Sequence, residues 1–197
     1  MIDKVLKNLI YLIYPRNICA YKEKNKYFNS EEYKRLNQII NEFDNEEGKV
    51  FRNSILKKFE NDKTLQKITD FTLFSIGDRC MTFNVTVLEK RELYTISLFL
   101  SVILPYYVVE VKKNKIELYF SESEITNLEN DNTEERSMQD LVLEIETVIE
   151  DEFLFKKFPN ELINYVVDDI SFQDSEFGYF TMYNAFFNNV IIKKNES

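Results

Sequence analysis

An α+β fold, with an antiparallel sheet packed between N-terminal and C-terminal helices, follows from three observations. Apolar residues recur at helical spacing up to about residue 59, they alternate with period two between Arg79 and Val102, and helical spacing returns at Met138. At 197 residues with 44% hydrophobic content, the chain fits one domain, 1–197. Within it, a helical part over 1–62 precedes a sheet-containing part over 66–192. The expected sheet is a four-stranded meander plus C-terminal strands.

Ile2, Val5, Leu6, Leu9, Ile10 and Ile13 predict a first helix, which Pro15 ends. A polar and aromatic loop is expected up to Asn29. Ser30 is a good N-cap, with Glu31 and Glu32 placed against the positive end of the helix dipole. Tyr33, Leu36, Ile39, Ile40 and Phe43 then mark one helical face. A further helix is expected over about 47–59, on Val50, Phe51, Ile55 and Phe59.

Alternation then takes over. Met81, Phe83, Val85 and Val87 interleave with Thr82, Asn84 and Thr86, and Tyr94, Ile96, Leu98 and Leu100 with Thr95 and Ser97. Two half-buried strands joined by the charged turn Glu89–Glu92 are the reading. Tyr106–Lys112 and Lys115–Phe120 predict a second hairpin around Lys113 and Asn114, and an earlier strand near Ile68–Phe74 is placed to pair with the meander. Met138, Leu141, Val142, Ile145, Val148 and Ile149 form one apolar stripe of a helix that should pack on the sheet. Pro159 suits the first turn of a short helix to Tyr165. Ile170–Phe172 and Tyr179–Phe187 read as strands.

The residues that are missing exclude whole classes of chemistry. The chain has no histidine, which removes serine and cysteine triads and histidine-based acid–base mechanisms. Gly48, Gly77 and Gly178 stand alone, so no glycine-rich loop is present to cradle a phosphate. Cys19 and Cys80 have no paired spacing and read as reduced structural thiols. No motif calls for a cofactor or a structural metal. The longest uninterrupted apolar run near the N-terminus, Leu9–Tyr14, is too short to span a bilayer, and no small-residue cleavage site follows it. A soluble, cytoplasmic, non-enzymatic protein without a membrane partner is the expectation.

Carboxylate chemistry stays open as an alternative. Glu110 and Lys112 share one strand face, in the Glu-x-Lys spacing of metal-dependent nucleases, and Asp168 with Asp169 would add ligands. The competing reading makes the first pair a solvated hairpin end and the second a turn. A structural subunit docking through its apolar N-terminal helix is a further alternative.

Charge is strongly segregated. Residues 122–152 hold twelve acids and one base, a net −11, whereas the whole chain is −9 and the remainder therefore +2. Such a field repels phosphates, so nucleic acid is not an expected partner, and it speeds encounter with a basic protein. The same acids also suit a merely solvated helix and loop. The aromatic segment 177–187 reads first as core and second as a binding anchor.

The stretch from Arg79 to about Phe187 resembles a group of small bacterial proteins encoded beside polymorphic or contact-delivered toxins and regarded as their immunity proteins. The likeness rests on DRCMTFNV, PYYVVEV, IELYFSE, the acidic loop and helix, and DISFQDSEFGYFTMYNAFF, about half of the chain. It implies neutralisation of a cognate toxin in the cytosol by steric occlusion, with homodimerisation compatible. The residues expected to meet a basic toxin are Glu129, Asp131, Glu134 and Glu135 in the loop and Asp140 and Glu144 on the adjoining helix.

Overall fold

A computed structural model of the chain describes residues 2–60, 68–89, 92–115 and 137–189. The α+β class holds, with seven helices and a five-stranded sheet among these residues.

Helix α1 (Ile2–Ile13) buries Leu6, Ile10 and Ile13, the inner stripe of its apolar residues. The segment expected as a loop contains a short helix, α2 (Lys24–Phe28), seated by the buried Tyr27. Helix α3 (Glu31–Phe43) starts where its cap requires: the Ser30 hydroxyl accepts from the Tyr33 amide at 3.2 Å. Helix α4 (Glu46–Glu60) follows at once, its first turn held by the Asn45 side chain, which accepts from the Gly48 amide at 2.8 Å. That corner is tight. A Cβ at Gly48 would lie 2.0 Å from the Phe43 carbonyl oxygen, so only glycine fits there.

The sheet runs in the order β1 (Ile68–Asp70), β2 (Cys80–Glu89), β3 (Glu92–Ser101), β4 (Tyr106–Asn114) and β5 (Lys156–Lys157). The first four strands form an antiparallel meander. Its members differ from the expectation at one point. Lys113 and Asn114 do not turn but stay in β4, opposite Tyr94 and Leu93, and Asn114 Nδ2 donates to Thr95 Oγ1 at 2.8 Å. Among the described residues the fourth strand of the meander is β1, from the segment expected to pair with it. Residues 116–120, the bulk of the expected return strand, lie outside the described residues.

Helix α5 (Met138–Asp151) opens on a reciprocal cap between Ser137 and Asp140 and buries Leu141, Ile145 and Ile149. Crossing over through α5 allows β5 to pair parallel to β4, with Tyr106 opposite Lys156 and Tyr107 opposite Lys157. Helix α6 (Asn160–Ile163) follows Pro159 as expected, although it is shorter.

The two expected C-terminal strand segments take another form. Ile170 contributes a single bridge to Arg16, and Thr181 a single bridge to Val166. Residues Met182–Phe186 form helix α7. Thr181 and Asn184 make a second reciprocal cap, and Tyr183, Phe186 and Phe187 then fall on one helical face, all buried. That packing outweighs the strand preference of aromatic residues. Among the described residues no helix is long and apolar enough to cross a membrane.

The sheet has one closed face and one open face. Met81, Phe83, Val85, Ile96, Leu98, Leu100 and Tyr107 point to the closed face and are all buried. Helices α4 and α5 are tied to it. Arg52 Nε meets Asp70 Oδ2 at 3.0 Å, and Tyr107 donates to Glu150 at 2.7 Å. Buried Ile55, Phe59, Leu141, Ile145 and Ile149 join the same core cluster. The open face carries Cys80, Thr82, Asn84 and Thr86 on β2, Ser101, Phe99, Ser97 and Thr95 on β3, and Val108, Glu110 and Lys112 on β4. Helix α7 covers its Cys80 end, with the Tyr183 ring edge-on to Phe99 at 6.4 Å.

Candidate functional site

The acidic helix is less free than its sequence suggests. Glu146 pairs with Lys157 at 2.5 Å and Glu152 with Lys58 at 2.5 Å, so two lysines cancel two of its charges. Glu150 accepts from Tyr107, which pushes the Tyr107 hydroxyl pKa upward, through burial first and this contact second. Of the residues expected to meet a partner, Asp140 is engaged in part by the cap of α5, where it accepts from the Ser137 hydroxyl at 2.7 Å. Glu144 lies half-buried on the same helix. Glu129, Asp131, Glu134 and Glu135 lie outside the described residues. On the same helix Leu143 is 64% exposed, an apolar side chain on the outer face of α5.

A second concentration of polar groups lies on the open face of the sheet. Asn84, Ser97 and Glu110 stand opposite one another on β2, β3 and β4, which makes them one row. Tyr183 roofs the row from α7. Its side chain is 1% exposed, and its hydroxyl meets the Glu110 carboxyl and the Asn188 side chain. Asn84 Oδ1, at the other end of the row, is buried and without a partner among the described residues. Burial raises the Glu110 pKa, only partly offset by the approach of the Tyr183 hydroxyl. Cys80, at the covered end of the face, has its thiol pushed up to about 12, chiefly by burial.

Two arginines anchor the C-terminal segment. Arg79 is fully buried and donates to the carbonyl oxygens of Gly77 (2.5 Å) and Asn184 and to the Asn189 side chain (2.9 Å), with its guanidinium 4.6 Å from the centre of the Phe172 ring. Arg16 Nε meets Asp169 Oδ2 at 2.6 Å, and Tyr11 donates to Asp169 Oδ1 at 2.9 Å. Burial alone would raise the Asp169 pKa. The hydrogen bonds from Arg16 and Tyr11 outweigh it and hold the carboxyl below its usual value.

Asp169 is therefore engaged in joining α1 to the C-terminal segment, while its neighbour Asp168 is exposed. Glu110 faces Tyr183 instead, and Lys112 is exposed at the end of the same face. Among the described residues no three or more Cys, Asp or Glu side chains are grouped so as to hold a metal ion. Helix α1 also carries a second, outward apolar stripe, with Ile2, Val5 and Leu12 between 42% and 55% exposed.

Sequence reasoning found Glu110 but attached it to Lys112 rather than to Asn84 and Tyr183. The alternation of β2 and β3 already placed Asn84 and Ser97 on one face. What no pattern carried was the register, or the return of Tyr183 over that face. The chain matches no protein-family model, no curated protein and no solved structure.

Proposed function

We propose that this chain is a non-enzymatic, protein-binding inhibitor that works as an immunity protein, occluding a cognate basic toxin in the cytosol. The observation that carries the reading is the segregation of charge, −11 over residues 122–152 against +2 in the rest of the chain. A field of one sign confined to one segment steers a basic partner to that segment and raises the rate of encounter. The ion pairs Glu146–Lys157 and Glu152–Lys58 neutralise two acids toward the C-terminal end of α5. On this reading the basic partner meets Asp140, Glu144 and the preceding stretch with Glu129, Asp131, Glu134 and Glu135. Leu143, exposed on the outer face of α5, offers such a partner an apolar contact on the same helix as Asp140.

The test is co-purification of the tagged chain with the product of the adjacent gene, followed by binding at low and high salt. One-to-one capture that weakens with salt is expected. Reversing Glu129, Asp131, Glu134 and Glu135 together should reduce affinity at least tenfold, since each fully formed charge pair in such interfaces contributes on the order of 1 kcal/mol or more. Capture unaffected by the reversal removes the acidic segment from the mechanism. A failure to bind any such product removes the immunity reading itself.

A further inference from the structure

We propose that the turn Glu176–Tyr179, with the adjoining Val166, is a docking surface for an arginine-rich segment of a basic protein, anchored on the rings of Phe177 and Tyr179. A different stretch of chain from the acidic segment carries this surface. It deepens the reading above and rests on it only for the identity of the basic partner.

The backbone decides which side chains face outward. Val166 and Thr181 are bridged, with the Val167 amide donating to the Phe180 carbonyl at 2.8 Å and the Met182 amide to the Tyr165 carbonyl at 2.9 Å. Alternation along these two short extended pieces turns Val167 and Phe180 inward, where they are buried, and leaves Val166 and Tyr179 outward at 37% and 74% exposure. Phe177, 40% exposed, precedes Tyr179 in a turn that the Tyr179 amide closes on the Glu176 carbonyl at 3.4 Å. Gly178 sits within that turn at φ 83°, a left-handed conformation that glycine adopts without steric cost.

The loop that presents these rings is firmly held. Ser171 Oγ donates to the Ser175 carbonyl at 2.7 Å, and Gln173 Nε2 to the Ile76 carbonyl at 2.7 Å. The Asn189 side chain engages the Gln173 amide oxygen, and Tyr21 donates to the Glu176 carboxylate. Polar contacts thus fix the loop while its two aromatic rings face water. Rings fixed before contact lose little freedom on binding, and aromatic side chains are frequent anchors of protein interfaces.

Charge selects the partner. Residues 158–189 hold five acids, Glu161, Asp168, Asp169, Asp174 and Glu176, and no base. The cations that reach this segment are already engaged. Arg16 pairs with Asp169 and lies over the Tyr11 ring, and Lys22 pairs with Glu176 and lies over the Tyr21 ring. Asp168 and Asp174 stay exposed, and among the described residues no ion pair engages them and no cation lies over Phe177 or Tyr179. A guanidinium can stack on an aromatic face and still donate to a carboxylate, which the ammonium of lysine does less well. Phosphates are repelled by the same acids.

The experiment is a titration of the full chain, followed by amide chemical shifts, with an alternating Arg-Gly peptide, and with Lys-Gly and Glu-Gly peptides as controls. Saturable shifts in residues 165–181 are expected with Arg-Gly, weaker ones with Lys-Gly and none with Glu-Gly. Tyr179→Ala should weaken Arg-Gly binding at this surface about fivefold. Phe177→Ala should act in the same direction, and circular dichroism checks that both variants fold. The same shifts should persist when Glu129, Asp131, Glu134 and Glu135 are reversed together. Shifts confined to α5 overturn this surface and leave the acidic-segment reading in place. Shifts in 165–181 that survive both alanine substitutions overturn the aromatic anchors, and equal binding of Arg-Gly and Lys-Gly overturns the arginine preference. Shifts in 165–181 together with failure of the co-purification above keep this surface and remove the immunity reading.

Discussion

The two faces of the same sheet meet opposite fates. On the closed face, seven side chains from Met81 to Tyr107 are buried under α4 and α5, and the one polar tip among them, the Tyr107 hydroxyl, has Glu150 as its acceptor. On the open face, α7 covers the Cys80 end, while a carboxylate, Glu110, is drawn partly out of water beneath Tyr183. The closed face is finished as a piece of packing. The open face is packed up to a polar row in which the Glu110 carboxyl meets the Tyr183 hydroxyl. A stability map of the sheet should therefore be asymmetric.

The largest effect is expected at the centre of the closed face. Phe83 is 0% exposed and lies opposite the buried Leu98, so loss of its ring leaves a hole inside the packed layer. Phe83→Ala should cost about 3–5 kcal/mol, combining lost transfer energy with a residual cavity. Urea unfolding followed by circular dichroism measures it. A cost below about 1 kcal/mol would mean that the closed face is not the principal core.

A smaller effect is expected where the closed face uses a polar contact. Tyr107→Phe removes the hydroxyl that donates to Glu150 at 2.7 Å but leaves the ring in place. Because Glu150 is itself exposed and regains water, the cost should be about 1–2 kcal/mol. Loss of the whole fold in this variant would show that the hydrogen bond, rather than apolar burial, positions α5.

The asymmetry also explains how much was legible from the residues. The alternation Met81, Phe83, Val85 with Thr82, Asn84, Thr86 gave the two faces of β2 directly, because strand period and burial coincide there. Ser30 and Pro159 marked helix starts through local backbone chemistry. Helix α2 was not legible, since its five residues are too few to show a period and its seat depends on Tyr27 finding the core. Helix α7 was misread although a signal existed. Thr181 and Asn184 have the spacing of a reciprocal cap, and the aromatic run concealed it. The burial of Arg79 was not legible at all, because its acceptors are backbone oxygens and an asparagine far along the chain. For the same reason the polar row escaped notice: Glu110 and Tyr183 belong to elements that only tertiary packing brings together.

The smallest effect is the most discriminating, and it concerns pH. Burial raises the Glu110 pKa in the folded chain above its ordinary value of 4.5. Below that value the carboxyl is protonated in both states and contributes nothing to pH dependence. As pH rises from 4.5 through the raised folded pKa, the unfolded chain ionises first, and stability falls. Glu110→Gln should remove this decline, so the variant gains on the native chain between pH 4.5 and neutrality. The gain should be modest, because the side chain is only half-buried and solvent screens part of the penalty. Asp169 works in the opposite sense, since its lowered pKa gives stability that is present above 3.8 and lost on acidification below it, and so it does not mimic the effect. Parallel pH profiles for the native chain and Glu110→Gln would show that the open face carries no penalty for its carboxylate, and the contrast between the two faces would then rest on packing alone.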